Sequence, residues 1–420
     1  MQVNISTLSN GLRVVSVERP STETVSVGIW VNTGSACENP ENNGISHFVE
    51  HMVFKGTQKR TALQISEDIE NVGGNTNAYT SREFTVFYAK MLKNDLELAV
   101  DVLADMVMAP TFAAEELSKE REVVVQEIKQ TFDDPSDIVF DYFQETAFKE
   151  QALGRSILGP AEKVRSFDAT TLREYMSHNY AAENIVVSAA GNLKHDEFVK
   201  MVADRMSGLQ AKTSYNKDKQ LYSGGSFIKQ RDIEQAQVLL GFNGASYYAD
   251  NRYPVAIMST ILGGSMSSRL FQEIREKRGL VYSVYSFSNN HKESGLFGIY
   301  AGLDSEQIKK YLPVVADEIK KIVNEHVTDA ELNRVKVQYK AGMLMALESS
   351  SSTAEMVARR YLLHNRFIPV EEIIAKIDSV SKDDVMKAAQ SIFSSPLTYT
   401  LLGNLNEYPS YDEVREYIKF

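Results

Sequence analysis

Apolar and polar positions along the chain recur in one order twice. Residues 185–193 (Ile-Val-Val-Ser-Ala-Ala-Gly-Asn-Leu) and 397–405 (Leu-Thr-Tyr-Thr-Leu-Leu-Gly-Asn-Leu) each predict a strand closed by Gly-Asn-Leu. An amphipathic helix is predicted before each, over 168–179 and 382–393, from apolar residues at three- and four-residue spacing. Earlier still, the β-rich run 84–90 matches 296–302, and each is followed by a long helix-forming stretch. A second helix start at Ala113 to Leu117 has its match at Thr328 to Leu332. These landmarks lie about 212 residues apart. Shared order over so much chain predicts a duplication: an α+β protein of two homologous domains, each a mainly antiparallel sheet packed with helices. The expected domains are 1–210 and 228–420. Residues 211–227, rich in Lys, Ser, Gly, Asn and Tyr and without apolar periodicity, are read as a linker.

Composition adds limits to this picture. At 420 residues the chain exceeds what one core supports, and its 43% hydrophobic and 24% charged residues are those of a globular protein. A net charge of −11 argues against nucleic acid as a partner and favours neutral or cationic ligands. The single cysteine, Cys37, excludes an intramolecular disulfide, and packing is its expected role. No basic start with an apolar run marks a secretory signal, and no apolar stretch is long enough to span a membrane, so a soluble intracellular protein is expected.

Of seven histidines only His47 and His51 stand close, in His47-Phe48-Val49-Glu50-His51. Apolar neighbours predict a short, largely buried helix. On it, residues i and i+4 share a face, so both imidazoles reach one ion, with Glu50 beside that face. Catalytic zinc takes three protein ligands and keeps one position open, so a third is needed. A second helical pattern, 115–130, carries Glu120 and Glu127 two turns apart on one side. Glu127 could close the site and Glu120 could orient a histidine N–H, but glutamates are common on helices and spacing alone leaves the third ligand open.

The motif H-x-x-E-H is the inverted zinc-protease motif, and the chain resembles the pitrilysin and insulin-degrading enzyme family, including the mitochondrial processing peptidase β subunit and its short bacterial relatives. The likeness extends to Asn10-Gly11-Leu12-Arg13-Val14, Gly44-Ile45-Ser46-His47, Phe54-Lys55-Gly56-Thr57, Asn77-Ala78-Tyr79-Thr80, Leu153-Gly154-Arg155 and Ser267-Ser268-Arg269-Leu270. It implies one zinc ion per chain on His47, His51 and Glu127, with Glu120 assisting and Glu50 as general base for a water whose pKa the metal lowers. In the second half Gly342 stands at the counterpart of Glu127.

The resemblance further implies that an extended peptide lies along an edge strand at Asn77, Ala78 and Tyr79. It gives Asp137 and Asp141 the reception of a basic substrate residue, and Arg275 and Tyr282 contacts near the scissile bond. Because single-chain relatives supply that last pair from the fourth of four similar domains, the expected assembly is a homodimer enclosing a chamber, with a heterodimer as the alternative. The implied function is a zinc endopeptidase acting on short or unfolded peptides, without nucleic-acid or membrane partners. A noncatalytic assembly subunit is the competing reading, and such relatives typically lack the intact motif. The family start at Asn10-Gly11, after few residues, favours a bacterial cytosol over an organelle matrix.

Overall fold

The computed structural model describes residues 1–212 and 220–420. It contains two sheets. The first is built from β1 (Asn4–Thr7), β2 (Arg13–Glu18), β3 (Thr24–Val31), β4 (Asn75–Thr80), β5 (Thr85–Leu92) and β6 (Ile185–Gly191), in the order β1-β2-β6-β3-β5-β4. The second holds β7 (Gly225–Gln230), β8 (Ala236–Asn243), β9 (Ser283–Asn290), β10 (Gly295–Leu303) and β11 (Thr398–Gly403), in the order β7-β11-β8-β10-β9. Without β1 the two orders are the same. β2 pairs in parallel with β6, and β7 with β11, while the remaining ladders are antiparallel. Topology therefore repeats where the sequence pattern repeats, and the chain is α+β with two related sheets.

The predicted elements stand with small shifts at their ends. The first Gly-Asn-Leu strand ends at Gly191, whose φ is 137° and whose absent Cβ would come within 2.3 Å of the Thr24 carbonyl oxygen. Asn192 and Leu193 thus leave the sheet. Of the expected linker, residues 213–219 lie outside the described residues, while Gly225, Ser226 and Phe227 open β7. Pairing with β11 overrides a composition that reads as loop.

The compact units differ from the contiguous halves expected. One consists of residues 1–129, 156–212 and 342–369, the other of residues 130–155, 220–341 and 370–420. Each sheet has a second face to cover, and each is covered by a helix from the other half of the sequence. In the first unit the helix Ser350–His364 lies against β6, β3 and β2. Ser26 and Ser351 share a hydrogen bond of 2.8 Å, and the Ser188 hydroxyl donates to the Ala354 carbonyl at 2.9 Å. In the second unit the helix Pro135–Ala147 lies against β11, β8 and β7 through Val139, Phe143 and Ala147. Gly241 of β8 leaves room for the Phe143 ring, which an added Cβ would meet at 2.4 Å.

The opposite face of the first sheet carries the core that positions the site. Val25, Val27, Ile29 and Val31 of β3 point into it from alternate positions, as do Phe87, Ala89 and Met91 of β5. Numbering the helices from the N-terminus, α1 (Ile45–Met52), α2 (Ala62–Glu70), α3 (Leu96–Met108) and α4 (Ala114–Asp133) belong to this unit up to Lys129. Ile45, Phe48, Val49 and Met52 of α1 and Leu117 and Val124 of α4 are buried in that core. Among the described residues no helix is long and apolar enough to cross a membrane.

Candidate metal centre

Helix α1 starts under two constraints. Gly44 has a φ of 96°, and an added Cβ there would come within 2.6 Å of the Leu158 carbonyl oxygen. The buried carboxylate of Glu38 accepts from the backbone N–H of Gly44 at 2.8 Å and of Ser46 at 2.8 Å, and from the Asn43 side chain at 2.9 Å. A carboxylate here satisfies helix N–H groups that have no partner of their own and faces the positive end of the helix dipole. Cys37, next to it, is buried. With its apolar side fixed in the core, α1 turns His47, Glu50 and His51 toward α4.

There His47, His51 and Glu127 converge. Nε2 of His47 lies 3.7 Å and Nε2 of His51 3.6 Å from Oε2 of Glu127, and one donor atom from each residue falls within 4.8 Å of the others. These separations exceed a hydrogen bond. A tetrahedral ion with bonds of about 2.0–2.1 Å holds its ligand atoms about 3.4 Å apart, so the cluster has the spacing of donors that share an ion. Nδ1 of His47 is buried without a hydrogen-bond partner among the described residues. The Glu127 side chain is 41% exposed, which opens the cluster to solvent on that side.

The surroundings define the protonation of each member. Burial, helped by the neighbouring His51, pushes His47 down to about 3, so its imidazole is neutral near pH 7 and offers a lone pair. Burial also opposes charge on His51, but its hydrogen bond to Glu120 and the nearby Glu127, Glu120 and Glu50 carboxylates outweigh this and raise it. Glu120 is held low: its burial is outweighed by hydrogen bonds from His51 and Lys55. Oε1 of Glu120 lies 2.8 Å from His51 Nδ1, and Oε2 lies 2.8 Å from Lys55 Nζ. Because an ionised carboxylate only accepts, Nδ1 of His51 is the donor and its Nε2 is directed to the cluster. The Glu50 carboxyl is raised, chiefly by burial, against the effect of a hydrogen bond from the Thr80 hydroxyl to Oε2 at 2.5 Å.

Asn77, Ala78 and Tyr79 lie on β4, which among the described residues pairs with β5 alone and is the edge of its sheet. Their side chains alternate between exposed and half-buried. The Ala78 N–H is occupied by the Asn77 side-chain oxygen at 2.8 Å. The other four expected residues belong to the second unit. Asp137 and Asp141 sit four residues apart on the helix Pro135–Ala147, the former exposed and the latter half-buried. Arg275 lies in a π-helical turn, Phe271–Glu276, and its guanidinium lies over the Tyr282 ring at 5.6 Å from its centroid; Tyr282 is 73% exposed.

Three residues at this centre escaped the reading of motifs. Lys55 and Thr80 stand inside runs quoted above and Glu38 beside Cys37, but what they touch is set by contacts of five or more residues' separation or by strand placement. A signal existed only for Glu38, an acid a short distance before a buried helix start.

Comparisons with known proteins identify relatives of the chain. Residues 13–161 match the family described as Insulinase (Peptidase family M16), and residues 166–339 the one described as Peptidase M16 inactive domain. An uncharacterized zinc protease of Rickettsia felis is 38% identical, over 95% of this chain and 97% of its own. A probable β subunit of mitochondrial processing peptidase from Arabidopsis thaliana is 33% identical, over 99% of this chain and 81% of its own. The crystal structure of a protease from Helicobacter pylori shares the fold with a TM-score of 0.90, at 22% identity, over 96% of this chain and 99% of that one. With relatives this similar along almost its whole length, the chain belongs to the insulinase family of peptidases, M16.

Proposed function

We propose that the chain is a zinc endopeptidase, with one ion held by Nε2 of His47, Nε2 of His51 and Oε2 of Glu127. The observation that carries this is the convergence of those three atoms beside a half-buried Glu50. A zinc ion there supplies a Lewis acid that lowers the pKa of a water and polarises a scissile carbonyl. Glu50 takes the proton of the attacking water on Oε1, the oxygen that makes no hydrogen bond among the described residues, and returns it to the leaving amine. Glu120 keeps His51 in the tautomer that presents Nε2. β4 offers its free edge to an extended peptide, which displaces the Asn77 side chain from the Ala78 N–H and pairs by main-chain hydrogen bonds. Asp137 and Asp141 favour basic side chains, and in a homodimer Arg275 and Tyr282 of one chain complete the centre of the other.

The test is cleavage of a mixed peptide library with metal analysis, beside Glu50→Gln. The expected result is zinc-dependent cleavage by the unsubstituted chain, and a variant that keeps one zinc ion but turns over no peptide. Turnover retained by Glu50→Gln would remove Glu50 as the base.

A further inference from the structure

Thr80 is the last residue of β4, and its hydroxyl is the hydrogen-bond donor to the carboxylate of Glu50. At 2.5 Å this is a short, charge-assisted bond. Its two ends lie on different elements: Glu50 on α1 between the two histidines, Thr80 on the strand whose outer edge is unpaired among the described residues. The rest of the strand's end is held firmly. The turn after Thr80 closes with Ser81 N–H donating to the Phe84 carbonyl at 2.8 Å. Ser35 N–H donates to the Ser81 carbonyl at 3.2 Å and Ala36 N–H to that of Arg82 at 2.7 Å. Gly34 lies so close to this turn that an added Cβ would come within 2.2 Å of the Ser81 oxygen. The segment 34–38 that grips the turn is the one whose Glu38 caps α1. The strand end and helix α1 are thereby tied to one another twice, once through segment 34–38 and once through Thr80 and Glu50.

A half-buried glutamate such as Glu50 has several rotamers to lose, and a base needs one of its oxygens aimed at the reacting water. Thr80 occupies Oε2 and leaves Oε1 free. We propose that Thr80 is a positioning residue that fixes the Glu50 carboxylate relative to β4, so that the strand on which the peptide pairs also sets the place of the base. The inference rests on the peptidase reading above and extends it. A peptide that pairs with β4 in the right register brings its scissile bond to a base already held by the same strand. The role needs a hydroxyl and not the methyl group, which separates it from simple packing.

The experiment compares Thr80→Val and Thr80→Ser in the full chain, measuring kcat, KM, zinc content and thermal unfolding. Valine keeps shape and strand preference and removes the donor. The expected result is a fall in kcat of about 10–100-fold for Thr80→Val, with KM within about twofold and zinc retained, while Thr80→Ser recovers most of the rate. Added to Glu50→Gln, Thr80→Val should cause no further loss of residual activity. An unchanged kcat in Thr80→Val, an equal loss in Thr80→Ser, or loss of zinc in both variants would overturn the positioning role. Absence of zinc-dependent cleavage by the unsubstituted chain would overturn the peptidase reading itself.

Discussion

Lys55, itself half-buried, forms an ion pair with the buried Glu120, Nζ to Oε2 at 2.8 Å, and the other oxygen of that carboxylate takes the hydrogen bond of His51 Nδ1. The Glu120 side chain is only 5% exposed, so Lys55 is the cation that makes its charge tolerable there. Lys55→Met should weaken zinc binding about tenfold, at the low end of what loss of a ligand's supporting contacts costs. Lys55→Arg should restore most of it. Competition against a chromophoric chelator reads both, and an unchanged affinity in Lys55→Met would show that Glu120 holds His51 unaided.

Glu38 supports the centre from the start of α1. Glu38→Ala removes the acceptor of three N–H donors in a buried place and should cost about 2–4 kcal/mol of stability. Thermal unfolding measures it. Because the donors belong to the turn that opens the helix, zinc affinity should fall together with the melting temperature; a stable variant with normal zinc binding would refute this coupling.

If Arg275 and Tyr282 of one chain complete the centre of another, two dead subunits can rescue each other. Glu50→Gln and Arg275→Ala, each inactive alone, should regain part of the activity when mixed. The control is proof of subunit exchange by mass. Exchange without recovery would count against a shared centre.

The second unit carries a separate acid-sensitive contact. Arg269 grips Glu331 with Nε to Oε1 at 2.8 Å and Nη2 to Oε2 at 3.1 Å, and Thr328 N–H adds a bond to Oε2 at 2.8 Å. Burial raises the Glu331 carboxyl, but these donors outweigh it and bring it down to about 2, from 4.5 for the free side chain. Its ionised form therefore stabilises the fold above about pH 4.5, and this contribution is lost as pH falls toward about 2. Near neutral pH, Glu331→Gln should unfold at lower denaturant than the unsubstituted chain, and the gap should close on acidification. A gap that stays constant down to pH 3 or so would mean that the loss in the variant does not come from the charge of the carboxylate.

Different parts of the molecule were legible to different degrees. His47, Glu50 and His51 could be placed because one helical turn brings i and i+4 together whatever surrounds it. The strands around Ile185 and Thr398 could be placed because their apolar runs are local too. Glu127 is 76 positions beyond His51, and spacing left it one glutamate among several until the likeness to a family singled it out. Lys55, Thr80 and Glu38 sit in quoted or neighbouring runs, yet nothing local tells which atoms they meet.

Order along the chain was enough for the duplication, the α+β class and the helix face shared by His47 and His51, since periodicity and repeat are local properties. Tertiary structure alone decided three further matters. It assigned the helix Ser350–His364 to the first sheet and Pro135–Ala147 to the second, against the contiguous halves expected. It left β4 at a sheet edge, and it brought Lys55 to Glu120 and Thr80 to Glu50. The physical reason is common to all three. A sheet has two faces and an edge strand one free side, and which segment covers or touches them depends on where the chain returns after long excursions, which no local pattern encodes.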